Sequence, residues 1–321
     1  MDEEEPPGRL RREPTEIVRR FLRPAPAEIT VSPSVVSPRQ SIDVKVVAPK
    51  PIGNVTSARI ELGYDNFYRY RWAGRADAAA TATTDAMWLT QDVGTTYGTD
   101  RNTKDWVSVD TIELPTATSE FTDGSATFRI PSWAPASSSQ IAGWSCRLVV
   151  QRRGLDVDEQ AEFTVVTGID DAPTDIGAPE QVTGSVATRL DIELSRVVFR
   201  AGETIEGDLL ITPSRDLPDG DVRVKWQGQR DSHPLTRTPG FDETINGRTV
   251  QLEKRVTLRG GAQVRLPFQL ELPSDAAPTA SAVHSSMRWF VSATMFYAGF
   301  GSPGTESVRR PIAVVSTAGT G

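Results

Sequence analysis

Between Arg189 and Val315, run after run places an apolar residue at every second position, and this period of two is what most limits how the chain can fold. Leu190, Ile192 and Leu194 alternate with Asp191 and Glu193, while Ile205, Gly207, Leu209 and Ile211 share one phase. Val222, Val224 and Trp226 alternate with Arg223, Lys225 and Gln227. Val264, Leu266, Phe268, Leu270 and Leu272 keep phase, as do Met287, Trp289, Val291, Ala293 and Met295, and Ile312 with Val314 closes the set. Side chains on a strand point to alternate faces, so these runs predict strands with one buried and one wet face. Turn chemistry separates them: Ala201-Gly202, Pro218-Asp219-Gly220, Asn246-Gly247, Gly260-Gly261, Pro273-Ser274-Asp275 and residues 299–304. The pattern predicts an antiparallel sandwich of about seven strands.

Residues 25–168 repeat this pattern more loosely. Val35 to Ile42 aligns with Val198 to Ile205, with Pro38-Arg39 in place of the Ala-Gly turn. Ala126 to Pro131 resembles the end of the Leu266–Pro273 run, Ser137-Ser138-Ser139 gives a small-residue loop, and Trp144–Gln151 and Glu162–Val166 read as strands. An internal repeat of this length predicts two similar domains in tandem, and 321 residues give room for both. The expected boundaries are a tail over 1–24, a first sandwich over 25–168, a Gly-, Pro- and Asp-rich linker over 169–184 and a second sandwich over 185–317.

Composition narrows the function classes. A net charge of −7 and a pI of about 5.1 argue against a nucleic-acid binder, which needs a basic field. Cys146 is the one cysteine, so no intrachain disulfide forms, and its phase with Trp144, Leu148 and Val150 reads as a small buried hydrophobe. The acidic start, Met1 to Pro7, lacks the apolar core of a secretory signal, and no run approaches the ~18 apolar residues of a membrane span. A cytoplasmic location is therefore expected, and Asn54-Val55-Thr56 reads as a chance sequon.

Two stretches stand out as candidate docking surfaces. Residues 9–23 carry six arginines, and Ile17, Val18, Phe21 and Leu22 fall on one helical face beside Arg19, Arg20 and Arg23. A short basic amphipathic helix there would make weak peripheral contact with an anionic membrane or dock a partner; the alternatives are packing on its own domain or a frayed tail. The second stretch opens the excess chain between strand-like Arg59–Leu62 and Trp106–Leu114. Its aromatics Tyr64, Phe67, Tyr68, Tyr70 and Trp72 are interleaved with Arg69 and Arg71. Long loops are often functional, and Tyr, Trp and Arg dominate binding hot spots, so these seven residues are candidate partner contacts. The competing reading is a strand whose Tyr68, Tyr70 and Trp72 anchor the insertion over 73–104 to its own core.

A family resemblance rests on two motifs. Phe199-Arg200-Ala201-Gly202-Glu203-Thr204-Ile205-Glu206-Gly207 resembles the "aromatic, x, x-Gly-Glu-x-apolar-x-Gly" opening of arrestin-type domains. Leu266 to Pro273 is similar to their "apolar-x-Phe-x-apolar-x-apolar-Pro" strand. The resemblance covers roughly residues 185–317; the first half lacks the Gly-Glu-x-apolar-x-Gly opening. It implies an all-β chain of two tandem immunoglobulin-like (arrestin-type) sandwiches, here with a short N-terminal helix, acting as a non-enzymatic adaptor or scaffold with protein partners and no cofactor. The group includes arrestins, the retromer subunit of similar fold and, closest in kind, the bacterial sporulation-control proteins, whose branch implies developmental or stress regulation. No residue here matches the phosphate-sensing polar core of arrestins one by one, so that property is not carried over.

Catalytic constellations are sparse. Only His233 and His284 exist, both expected to be solvated, which leaves little for a metal site or triad. Residues 299–304 match Gly-x-Gly-x-x-Gly, but a strand containing Pro311 follows where a dinucleotide site needs a helix, so a hairpin loop is expected. Asp170, Asp171 and Asp175, and Asp216, Asp219 and Asp221, lack EF-hand spacing and read as solvated loop acids. An extracellular binding or adhesin module and a carboxylate-based enzyme stay open as alternatives.

Overall fold

The computed structural model describes residues 26–72, 99–116, 119–172, 175–184, 187–232, 241–298 and 304–316. The expected helix over 9–23, and with it Ile17, Val18, Arg19, Arg20, Phe21, Leu22 and Arg23, lies outside the described residues. So do His233 and residues 73–98 of the expected insertion.

The first half contributes β1 (Glu28–Ser32), β2 (Val35–Val36), β3 (Ser41–Gly53), β4 (Val55–Trp72), β5 (Thr99–Leu114), β6 (Glu120–Arg129), β7 (Ala142–Arg152) and β8 (Val157–Val165). They form two sheets, β1-β3-β6 and β2-β8-β7-β4-β5. A 3-10 turn at Ile169–Asp171 follows. The second half contributes β9 (Glu180–Thr183), β10 (Thr188–Leu194), β11 (Val198–Arg200), β12 (Thr204–Pro213), β13 (Leu217–Ser232), β14 (Phe241–Asn246), β15 (Val250–Leu258), β16 (Val264–Glu271), β17 (Ala280–Ser281), β18 (Ser285–Tyr297) and β19 (Thr305–Val315). Its sheets are β10-β12-β16 and β11-β19-β18-β13-β14, the latter extended by β9, β15 and β17. Among the described residues no sheet mixes strands of the two halves.

The two strand orders coincide when β1, β2, β3, β4, β5, β6, β7 and β8 are replaced by β10, β11, β12, β13, β14, β16, β18 and β19. Both halves carry one short parallel edge strand, β2 on β8 and β11 on β19, among otherwise antiparallel pairs. The second half has eleven strands where about seven were expected, and three of them, β9, β11 and β17, are only two to four residues long. Alternation cannot register in so short a run. Glu180–Thr183 also pairs with β19, so part of the stretch read as linker belongs to a sheet.

Alternation becomes packing as expected in a sandwich-like architecture. Ile42, Val44 and Val46 of β3 are buried, and so are Ala58, Ile60, Leu62 and Tyr64 of β4 and Trp144, Cys146, Leu148 and Val150 of β7. In the second half Ile205, Leu209 and Ile211 are buried with Met287, Trp289, Val291, Ala293 and Met295. Each half closes its core around an indole in the same way. Trp144 Nε1 donates to the Pro135 carbonyl at 2.8 Å, and Trp289 Nε1 donates to the Ala277 carbonyl at 2.9 Å. Burial pushes the Cys146 thiol up to about 12, as suits a packed hydrophobe rather than a nucleophile. β18 and β19 are antiparallel neighbours, and residues 299–303 of the expected hairpin loop lie outside the described residues.

Candidate functional site

The aromatic stretch after Leu62 continues β4 rather than leaving it: β4 runs to Trp72 and pairs with β5 from Ala58 to Trp72. Its far end overshoots the core of the first half and meets the far end of β13, which overshoots the second. Where they meet, the inward phase turns polar. Asn66 is fully buried. Its amide nitrogen donates to the Ile141 carbonyl at 2.9 Å and to Ser285 Oγ at 2.8 Å. Its Oδ1 accepts the His284 backbone N–H at 2.6 Å, and since that group can only donate, the amide orientation is fixed. Ser285 Oγ donates in turn to the Phe67 carbonyl at 2.8 Å, closing a cycle between the halves.

Around this cycle the contacts are ionic and aromatic. The Arg69 backbone N–H donates to Ser232 Oγ at 3.2 Å, and its guanidinium pairs with Glu243 at 3.0 Å. From the other side, Arg230 donates to the Gln140 carbonyl at 2.7 Å. Burial lowers the Arg230 pKa, the charge of Glu243 opposes the shift and that of neighbouring Arg69 adds to it. Tyr68 donates to Asp105 Oδ2 at 2.6 Å, its ring lies 5.1 Å from that of His284, and His284 Nε2 lies 3.8 Å from the same carboxylate oxygen. The Ser316 N–H donates to the Thr167 carbonyl at 3.1 Å, a backbone link between the halves.

The structure thus brings together most of the residues singled out after Leu62. Tyr64 is buried against Trp144 at a ring distance of 5.0 Å, and burial raises its pKa against a hydrogen bond with the Val283 backbone of the second half. Tyr68 is buried, and Phe67 and Arg69 are half-buried. Tyr70, Arg71 and Trp72 continue the backbone of β4, and their side chains lie outside the described residues. What Tyr64, Tyr68 and Arg69 dock onto is the other half of the same chain. His284, expected to be solvated, is instead packed on Tyr68, with 22% of its side chain exposed. Asn66, Ser285 and Arg230 escaped the sequence reading; the available signal was one polar residue in the inward phase between Tyr64 and Tyr68.

Beside the junction an open cleft of about 540 Å³ is lined by Asp65, Phe67, Lys104, Gly143, Glu162 and the Ser137–Ser139 loop. The Phe67 ring lies where a Cβ on Gly143 would approach within 3.1 Å, and Lys104 pairs with Asp65 at 2.6 Å. The loop acids serve turns: Asp171 accepts the Gly168 N–H at 3.0 Å, Asp175 that of Gly177 at 3.0 Å and Asp216 that of Gly260 at 2.8 Å. Among the described residues no cluster of three or more His, Cys, Asp or Glu could hold a metal ion. No helix among them is long and apolar enough to cross a membrane.

Compared with known proteins, the chain matches no protein-family model and no curated protein.

Proposed function

We propose that the chain is a non-enzymatic adaptor or scaffold, built of two tandem immunoglobulin-like β-sandwich domains and acting on protein partners in the cytoplasm. Within that class it is an arrestin-like protein. The observation that carries this reading is the doubled strand order joined by a buried polar junction: two similar units are held at one fixed setting, with sheet faces and loops left outward for contact. A second observation supports the arrestin-like part. The two motifs of the resemblance lie side by side, with the Gly202 N–H donating to the Pro273 carbonyl at 2.9 Å and the Leu272 N–H to the Glu203 carbonyl at 3.0 Å. The residues that carry the likeness are thus those that close one end of the second half.

The test is capture on the immobilised full chain from the native cytosol, with mass spectrometry and a titration of whatever is retained. A saturable, stoichiometric protein partner is expected. Absence of any saturable partner overturns the reading, and so does turnover of a small molecule by the purified chain.

A further inference from the structure

Because the halves repeat one strand order, exposed positions of one can be compared with their counterparts in the other, and one loop end differs sharply. Two shared hydrogen bonds fix the alignment, although the Arg39 N–H donates to the Ile130 carbonyl and the Gly202 N–H one residue further on, to that of Pro273. The Ile130 N–H donates to the Gln40 carbonyl at 2.8 Å, as the Leu272 N–H donates to that of Glu203 at 3.0 Å. The Ala134 N–H donates to the Pro131 carbonyl at 3.2 Å, as the Ala276 N–H donates to that of Pro273 at 3.1 Å. These bonds set Arg39 against Gly202, Arg129 against Glu271 and Trp133 against Asp275.

Burial agrees position by position: Ser132 and Trp133 are exposed before buried Ala134, as Ser274 and Asp275 are exposed before buried Ala276. The loop therefore has no need of an aromatic residue, since Asp275 serves in the counterpart. Trp133 is nonetheless 59% exposed. Arg39 stands at φ 69°, a left-handed conformation that its counterpart Gly202 takes at φ 81° without a side-chain penalty. Arg39 and Arg129 line a cleft of about 350 Å³ with Ile130, Pro131 and Ser132, one residue from Trp133. Arg129 Nε donates to the Arg39 carbonyl at 3.1 Å, and among the described residues neither guanidinium has a carboxylate partner. Two arginines and a tryptophan thus occupy the places that Gly202, Glu271 and Asp275 hold in the second half.

The geometry points to a docking site at this end of the first half for an acidic segment of a protein partner. Its carboxylates meet Arg39 and Arg129, and an apolar side chain lies on Trp133. The inference rests on the adaptor reading and names the chemistry of the partner. Charge complementarity selects the occupant: two arginines with no carboxylate partner among the described residues face outward in a chain of net charge −7. A concave cleft with a single exposed aromatic residue suits a peptide, whereas a membrane surface calls for a broader apolar face.

The test titrates a fluorescein-labelled Glu-Glu-Leu-Glu-Glu peptide with the full chain and follows anisotropy at low and physiological salt. The decisive variant carries Arg39→Gly, Arg129→Glu and Trp133→Asp, residues that the second half accommodates in the same loop geometry. Salt-sensitive binding by the unaltered chain is expected, weakened at least about tenfold in the triple variant and in Trp133→Ala alone, with no loss of unfolding midpoint in the triple variant. Equal binding by the triple variant, or none by the unaltered chain, overturns the site. Trp133-dependent binding to phosphatidylserine vesicles without peptide binding overturns the protein partner in favour of a lipid surface. Capture separates the two readings: if the triple variant retains the captured partner as well as the unaltered chain does, this site fails while the adaptor reading stands.

Discussion

The two halves share a frame but complete it differently around their longest strands. On the edge away from β7, β4 has one partner, β5; on the edge away from β18, β13 has two, β14 along its far end and β15 along its near end. Near the core the two strands are equivalent, with apolar side chains inward. Beyond it they diverge: β4 turns Asn66 and Tyr68 inward, while β13 presents Arg230, Asp231 and Ser232. The repeat therefore holds wherever the core dictates the residue and fails where each strand overshoots it. The overshoot is what builds the junction. Apolar packing covers the sheets, and a set of polar groups links one half to the other.

The largest expected effect checks the equivalence of the cores. Trp144→Ala and Trp289→Ala should each destabilise the chain by about 3–5 kcal/mol in denaturant unfolding, the range for an aromatic lost from a core. Both indoles also leave a loop carbonyl without its donor. Costs that differ by more than about 2 kcal/mol would break the comparison, because the spread at fixed chemistry reflects how well each site collapses.

Next in size is the junction. Asn66→Ala removes the acceptor of a buried N–H and a donor to Ser285, so a loss of about 1–3 kcal/mol is expected. Ser285→Ala should cost less, and the double variant less than the sum, since both residues belong to one cycle. Strict additivity would mean that the two side chains do not act together.

Why the sequence disclosed the cores but not the junction follows from the same division. Period-two runs such as Met287–Met295 report one buried face directly, so β12, β13, β16, β18 and β19 were legible. Arg39 opposite Gly202 was legible as a turn replacement, though not its left-handed backbone. The junction had no such local signature: Asn66 and Ser285 are 219 residues apart, and each is one polar residue among several in its own strand. Aromatic and arginine content drew attention to Tyr64 through Trp72, but composition does not tell a partner outside the chain from one within it. His284 was misread for the same reason, since Tyr68 and Asp105 are remote in sequence.

An alkaline titration sharpens the comparison further. Trp144 and Trp289 correspond, so Cys146 corresponds to Val291, and only the first half holds a buried thiol. Its pKa is raised from 9.0 to about 12 by burial. Above the unfolded value the unfolded chain has lost the proton while the folded chain retains it. Stability is therefore full below about pH 9 and falls as pH rises toward 12, by up to ~1.4 kcal/mol per unit. Cys146→Val should flatten this slope between pH 9 and 10. Tyr64 and Tyr297, also raised chiefly by burial, remain in both proteins and cancel in the difference. An unchanged slope in the variant would show that the thiol does not govern the alkaline limb.

The smallest effects are the most discriminating, because their signs should be opposite. Arg39 and Gly202 occupy equivalent turns with left-handed backbones, at φ 69° and 81°. A non-glycine residue in that conformation costs roughly 1–2 kcal/mol, and glycine gives back roughly 0.5–1 kcal/mol of that through the entropy of the unfolded chain. Arg39→Gly should therefore stabilise by about 0.5 kcal/mol, and Gly202→Ala should destabilise by a similar or slightly larger amount. Steric overlap does not blur the second change, since a Cβ at Gly202 would meet nothing closer than Ser274 Cα at 3.5 Å. Equal signs would mean that the turns share a left-handed backbone but not its energy. The expected signs carry a further consequence when peptide binding is measured on the same proteins. If Arg39→Gly raises the unfolding midpoint while weakening the acidic peptide, the arginine is held in a conformation the fold disfavours, and what it contributes is the contact rather than the turn.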